Sequence, residues 1–276
     1  MAVYAVGRLA PRFASLGAEK EFDQLSSADA ALGRVEWDVG LLRRVLERPE
    51  NRYVARQVCW VLTVQDVESY LIVPRDDEDI AELLASLPEN GQEVLHVVVG
   101  STPPAGGAVP AEASALGLPA LSMQQFMSFT QQEFVDALPL PVEAQLSSSG
   151  TEESRETEEE AGSRTRDGFR AVATDVFARF TKRAGNWGRS DEHRALNYVA
   201  LRYPKVYSAV FEAARSGKSF VGVEARRGAV SGQRRVVAVQ LTVRDRRTDM
   251  TEHWQCLVDV TDVFPFLAGP LSPVYG

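Results

Sequence analysis

The fold is decided by the run SDEHRALNYVALRYPKVYSAVFEAARSGKSFVGVEARR (190–227) and its sequel RRVVAVQLTVRDRRTDMTEHWQCLVDV (234–260). Ser190 is placed to cap a helix through DEHRALNYVALRY. Pro204 ends or kinks that helix, or starts the next. Tyr207, Val210, Phe211 and Ala214 continue at helical spacing, and Gly217 can close the second helix. Three strands are then expected, near 219–225, 234–244 and 252–261. Asp245–Asp249 would turn the last two into a hairpin. Trp254, Cys256, Val258 and Val260 share one face of its second strand. Upstream, Phe169, Val172, Ala173, Val176, Phe177 and Phe180 trace an apolar helical stripe. Helices followed by an antiparallel sheet indicate an α+β protein.

The first part mixes strands and helices. YVARQVCWVLTV (53–64) and VESYLIV (67–73) read as two strands of a hairpin turning at Gln65 and Asp66. Asp76 is placed to cap a helix carrying Ile80, Leu83, Leu84 and Leu87. EVLHVVVG (93–100) reads as a buried strand. TPPAGGAVPAEASALGLP (102–119) reads as a long loop. Ser122 with Gln125, and Thr130 with Glu133, have capping-box spacing, which predicts a short helix after each.

SSSGTEESRETEEEAGSRTRDG (147–168) holds no aromatic or branched aliphatic residue. Burial cannot offset its ordering entropy, so a flexible acidic linker or insertion is expected over 147–167. The organisation expected is thus an acidic α/β part, 1–146, and a basic α+β part, 168–276; one composite domain is the alternative. The net charge of −8 conceals this division. Counted by segment, it is −11 over 1–146, −4 over 147–167 and +7 over 168–276. A basic part of this kind attracts an acidic partner.

Hydrophobic residues at 45% and charged residues at 25% are ordinary globular values. They exclude collagen, wholesale disorder and a disulfide miniprotein. No apolar run approaches the ~20 residues of a membrane span. MAVYAVGRLAPRF lacks the basic start and apolar core of a signal peptide, and two cysteines fit a reducing compartment, so a cytoplasmic location is expected.

The search for chemistry is mostly subtractive. SGKSF (216–220) resembles the tail of a P-loop, but it follows a helix, and Glu212 stands where the leading glycine belongs. VVVGSTPPAGG lacks GxGxxG, and its prolines remove amide donors. No GxSxG elbow is present. An enzyme is therefore less expected than a binding module, and no catalytic residue is assigned. The candidates for binding are His193, Arg194 and Asn197 on one helix, with Arg226, Arg227, Arg234, Arg235, Arg246 and Arg247 in the loops around the central strand. Clustered arginines hold carboxylate or phosphate. The loops lack interleaved stacking aromatics, so an acidic peptide or protein ranks above nucleic acid. For a metal, the candidates are Cys59, Cys256 and His193, with zinc as the ion their donor atoms suit. Close-spaced ligand pairs are missing, and no cofactor is assigned. A homodimer through exposed strand edges is a further expectation.

Four segments carry a resemblance: YAVGRLAPRFASLGAEKEF (4–22), ENRYVARQVCWVLTVQDVESYLIVPRD (50–76), DEHRALNYVALRYPKVY (191–207) and LVDVTDVFPFLAGPLSPVYG (257–276). In this order they resemble the C-terminal domain of unknown function of patellamide-type cyanobactin maturation proteases. In that family the domain follows a subtilisin-like protease or macrocyclase domain, and these 276 residues contain no counterpart of it. The resemblance implies a stand-alone accessory or scaffold protein in ribosomal peptide maturation, binding a precursor peptide or a processing enzyme. A peptide-modifying enzyme and a regulatory subunit with a structural zinc are the alternatives. Arg8, Phe13, Glu19, Arg52, Arg56, Trp60, Pro74, Arg75, His193, Asn197 and Pro265 fall in the matching segments.

Overall fold

The computed structural model describes residues 1–28, 38–88, 91–103, 111–141, 155–228 and 234–274. The chain is α+β, in two compact units, Met1–Thr130 and Gln131–Gly276.

The first unit is a closed five-stranded barrel with helices around it. Its elements are β1 (Ala2–Phe13), α1 (Leu16–Ala28), α2 (Val39–Leu46), α3 (Arg52–Ala55), β2 (Val58–Val64), β3 (Val67–Val73), α4 (Asp77–Ala85), β4 (Val94–Ser101), α5 (Ala111–Leu116) and β5 (Ala120–Thr130). The strand order β1-β2-β3-β5-β4 returns to β1. All pairs are antiparallel except β3 with β5. β2 is buried on both faces, as its unbroken apolar run VCWVL requires. Gln65 and Asp66 both take positive φ, as the tight turn of a twisted hairpin demands. Asp76 caps α4 through the N–H groups of Glu78 and Asp79.

Closure depends on β1. Its residues 2–7 pair with β4, and residues 8–13 pair with β2. Gly7 stands at the handover. A Cβ there would sit well inside contact distance of the Thr63 carbonyl, a backbone oxygen that cannot swing away. Gly7→Ala is therefore expected to cost about 2 kcal/mol by overpacking. A urea titration of the first unit's signal would show this as a lower midpoint at unchanged slope.

Three sequence expectations differ from this unit. Residues 52–55 are helical, so the first hairpin strand begins only at Val58. Ser122 lies inside β5, not at a helix start; its neighbours Ser101 and Val73 claim it for the barrel ladder. Of the expected loop 102–119, residues 111–116 form the helix α5, and 104–110 lie outside the described residues.

The second unit holds α6 (Gln131–Asp136), α7 (Arg155–Thr181), α8 (Asp191–Arg202), α9 (Lys205–Arg215), β6 (Lys218–Arg227), β7 (Val236–Asp245), β8 (Thr251–Asp259) and β9 (Phe266–Val274). The helix expected after Thr130 is α6. The sheet is antiparallel in chain order. Val237, Val239, Leu241 and Val243 alternate into the core from β7. Cys256, Val258 and Val260 do so from β8 and the residue after it. The stripe of α7 packs as expected: Phe177 meets Phe134 at 4.7 Å, and Phe169 meets Phe211 at 5.4 Å. Tyr207 is buried and donates to the Ala200 carbonyl at 2.6 Å. The fourth strand, β9, carries Pro270 and Pro273, which hid it from strand propensity.

The units divide at Thr130/Gln131, whereas the sequence placed the division at 146/147. Of the expected linker 147–167, residues 147–154 lie outside the described residues. Residues 155–167 are helical in α7, where Glu, Arg and Ala are good helix formers even without burial.

Candidate functional site

The candidate residues of the sequence converge on the amino end of α8. Ser190 caps it, its hydroxyl accepting from the His193 N–H at 3.1 Å. Asp191 and Glu192 occupy the first turn, where the helix dipole favours negative charge. Two of the predicted arginines close on them: Arg235 donates to Asp191 at 2.9 Å, and Arg227 to Glu192 at 2.9 Å. Arg235 also donates to the Thr261 carbonyl at 2.7 Å. Arg226 pairs with Glu224 at 2.8 Å. Arg234 stands 3.9 Å from the buried Asp259. Burial pushes the Asp259 carboxyl up, but the hydroxyl and N–H of Thr261, with Arg234 and Arg235, outweigh it and hold the group below the usual carboxylate range.

Arg194 and Asn197 are structural. Arg194 is 1% exposed, and its guanidinium donates to the carbonyls of Val260 (2.8 Å), Asp262 and Val263 (3.1 Å). It thereby pins the segment leaving β8 to α8. Asn197 exchanges amide hydrogen bonds with Asn186, 2.7 Å and 3.4 Å, which fixes the loop before α8. Asn197→Ala would leave the buried Asn186 amide short of a partner. A loss of about 1–2 kcal/mol is expected, and Asn186→Ala added to it should cost little more; a double-mutant cycle by thermal unfolding checks this.

His193 differs. Its ring is half-buried, and Nδ1 has no hydrogen-bond partner among the described residues. Burial lowers its pKa, Glu192 opposes this, and Arg183 and Arg189 add to it.

Arg246 and Arg247 do not join this group. They are exposed beyond the opposite end of β7, about 30 Å along the strand from Arg234 and Arg235. The metal candidates are divided as well: Cys59 belongs to the first unit, Cys256 and His193 to the second. Both cysteines are buried, and neither is in a disulfide. Burial pushes the Cys256 thiol up to about 12, which makes it a core residue rather than a ready thiolate. No three His, Cys, Asp or Glu side chains gather around a metal position among the described residues.

The arginines in the resembling segments are mainly ion-paired. Arg56 holds Asp77 through two bonds, 2.9 and 2.6 Å, and Arg8 meets Glu93 at 2.6 Å. Arg75 holds the buried Asp79 at 2.8 Å. Trp60 and Pro265 are buried.

The sequence reading missed a second feature of this unit. A cleft of about 510 Å³ lies between the carboxyl end of α7 and β6. Arg179, on the last turn of α7, and Arg183, two residues past its end, cross it and donate to the carbonyls of Val221 (2.9 Å) and Val223 (2.7 Å). The only local signal for it is a concentration of basic residues at Arg179, Lys182 and Arg183, where α7 ends. The opposite edge is covered too: the N–H groups of Leu267 and Leu271 in β9 donate to the hydroxyls of Tyr198 and Tyr203 at 3.1 and 2.9 Å. The first unit's sheet closes on itself and presents no edge. Strand edges are thus closed in the first unit and carry side-chain hydrogen bonds at β6 and β9 in the second.

No helix among the described residues is long and apolar enough to cross a membrane. Comparison with known proteins returns two family models, PatG Domain over residues 2–208 and PatG C-terminal over residues 163–274. No curated protein matches. A solved structure titled "PatG Domain of Unknown Function" shares the fold with a TM-score of 0.66 at 18% identity, covering 99% of this chain and 98% of that one. Three quarters of the sequence, barrel included, therefore answers to one family description, and the chain belongs to the PatG Domain family.

Proposed function

We propose that this chain is a non-catalytic accessory module of cyanobactin-type peptide maturation, which binds a precursor peptide or a processing enzyme. The observation that carries this reading is the use to which the α8 cluster is put. The two terminal nitrogens of Arg194 and the amide of Asn197 are spent on holding backbone and loop. Asp191 and Glu192 are neutralised by arginines from the sheet. Such a cluster stabilises a surface for binding rather than delivering protons. The basic residues of the second unit then supply attraction for an acidic polypeptide.

The test is affinity capture from the source cells with the full chain as bait, at low and at high salt, read by mass spectrometry. Recovery of a processing enzyme or a small precursor peptide, weakened by salt, is expected. Recovery of neither at either salt would sink the reading.

His193 favours a second reading, a peptide-modifying enzyme, because its buried Nδ1 has no hydrogen-bond partner among the described residues and is placed to exchange a proton with a bound group. A His193→Ala variant that loses a measured peptide turnover while keeping its thermal midpoint would establish it.

A further inference from the structure

β6 is an edge strand of the second unit's sheet. Its carbonyls at Val221 and Val223 face away from β7, because they accept from Arg179 on the last turn of α7 and from Arg183 just beyond its end. The ladder slips between Phe220 and Gly222, which leaves Val221 as an extra residue, 41% exposed. In a strand the outward positions recur every second residue, so the edge continues towards Ala225. Each carbonyl has a second lone pair beyond the one its arginine uses. Across the cleft stands Lys182, exposed and with no side-chain partner among the described residues. The cleft thus joins a row of backbone acceptors to a basic wall of Arg179, Lys182 and Arg183, in which Arg179 also pairs with Asp175 at 2.9 Å and lies over the Phe220 ring. Its width is bridged by one arginine side chain and a hydrogen bond, which leaves room for a strand at the usual spacing of about 4.8 Å once the arginines swing aside.

We propose that this cleft binds an extended acidic polypeptide segment, added as a strand along the edge of β6. The segment's N–H groups bond the carbonyls of Val221 and Val223 in place of the arginines. Its carboxylates take the released guanidiniums of Arg179 and Arg183 and the ammonium of Lys182. The arginines therefore act as a latch: they satisfy the edge when it is empty and protect it from indiscriminate pairing. Main-chain bonds supply affinity, and the cationic wall selects acidic side chains. Glu224, also in the lining, pairs with Arg226 and is neutralised there. This inference rests on the binding-module reading and gives that module its ligand class and site.

The test uses the full chain and a fluorescein-labelled octapeptide of alternating valine and glutamate, blocked at both ends, titrated by fluorescence anisotropy at low salt. Three comparisons accompany it: the valine–lysine peptide, the acidic peptide N-methylated at alternate residues, and the Lys182→Glu variant, whose site is exposed and whose thermal midpoint should not move. Saturable binding of the acidic peptide is expected, with none of the basic one. N-methylation should weaken it about tenfold, because two hydrogen bonds are lost. Lys182→Glu should weaken it about fivefold. Absence of saturable binding by the acidic peptide would overturn the proposal. So would equal binding of the N-methylated peptide, which would reduce the site to diffuse electrostatics. Concentration-dependent self-association abolished by Lys182→Glu would make a second copy the occupant and overturn it also. Cellular partners captured undiminished by Lys182→Glu, with no peptide binding, would remove this cleft and leave the accessory-module reading standing.

Discussion

Arg194→Ala should destabilise the second unit by about 3–5 kcal/mol, the usual cost of removing one member of a buried, charge-assisted network. The side chain is almost fully buried, and it is the donor for three consecutive-region carbonyls, those of Val260, Asp262 and Val263. Truncation empties the space and orphans the carbonyls together. The Asp191 carboxylate, 3.5 Å from the guanidinium, would retain Arg235, so the charge balance of the helix end survives while the tether does not. Arg194→Lys should recover only part of the loss, since one ammonium cannot span the same three acceptors in a planar fork. For a unit of this size the alanine variant should lower the melting midpoint by about 10 °C. Calorimetry with the two units' transitions resolved would check it. A shift of under about 2 °C would mean the 260–263 segment holds its place without the tether.

Lowering the pH from 6.5 to 4 should remove about 3 kcal/mol from the first unit through one residue, His96. Its ring is 2% exposed, and burial depresses its pKa to about 4. Nδ1 accepts from the Leu9 N–H at 3.2 Å, so the ring proton sits on Nε2, which faces the Ser86 carbonyl at 3.4 Å. The neutral ring fits this arrangement, whereas protonation would set two N–H donors against each other at Nδ1. In the unfolded chain the imidazole takes a proton at its ordinary pKa near 6.5. Below that pH the unfolded state binds more protons than the folded one. The stabilisation is complete above pH 6.5, declines as pH falls, and is gone below about 4. His96→Asn keeps an acceptor for the Leu9 N–H and removes the titration. Urea midpoints measured from pH 7 to 4 should fall less steeply for this variant than for the wild type. Equal slopes would assign the acid sensitivity to other groups.

The second unit was the more legible half. Its helices announce themselves through caps and stripes: Ser190 before α8, Pro204 before α9, Gly217 after it, and the Phe169–Phe180 face of α7. Its central strands alternate cleanly, because one face is core and the other is not. The first unit was less so. The capping-box spacing of Ser122 and Gln125 is a local signal, and the ladder with β3 and β4 overrides it. A twelve-residue strand that changes partners at Gly7 leaves no periodic mark.

The candidate site divides along the same line. Residue types and spacing led to the amino end of α8 and to the arginines at 226, 227 and 234, 235, because a helix start and a hairpin end are local features. Whether those residues bind a ligand or hold the fold was not local. Arg194 and Asn197 turn inward because the segment after β8 and the loop before α8 bring unsatisfied groups to them. The cleft at β6 was invisible for the same reason. Lys182 and Arg183 read as an ordinary basic pair at a helix end, and Val221 becomes a bulge only through the pairing of β6 with β7. The sequence by itself determined which elements form and where charge accumulates, since propensity, capping and composition act within a few residues. The tertiary structure alone decided which backbone groups remain unpaired at an edge and which side chains reach them. Hydrogen-bond partners for a buried or edge-exposed group are supplied by whatever the fold brings within about 3 Å, however distant in the chain.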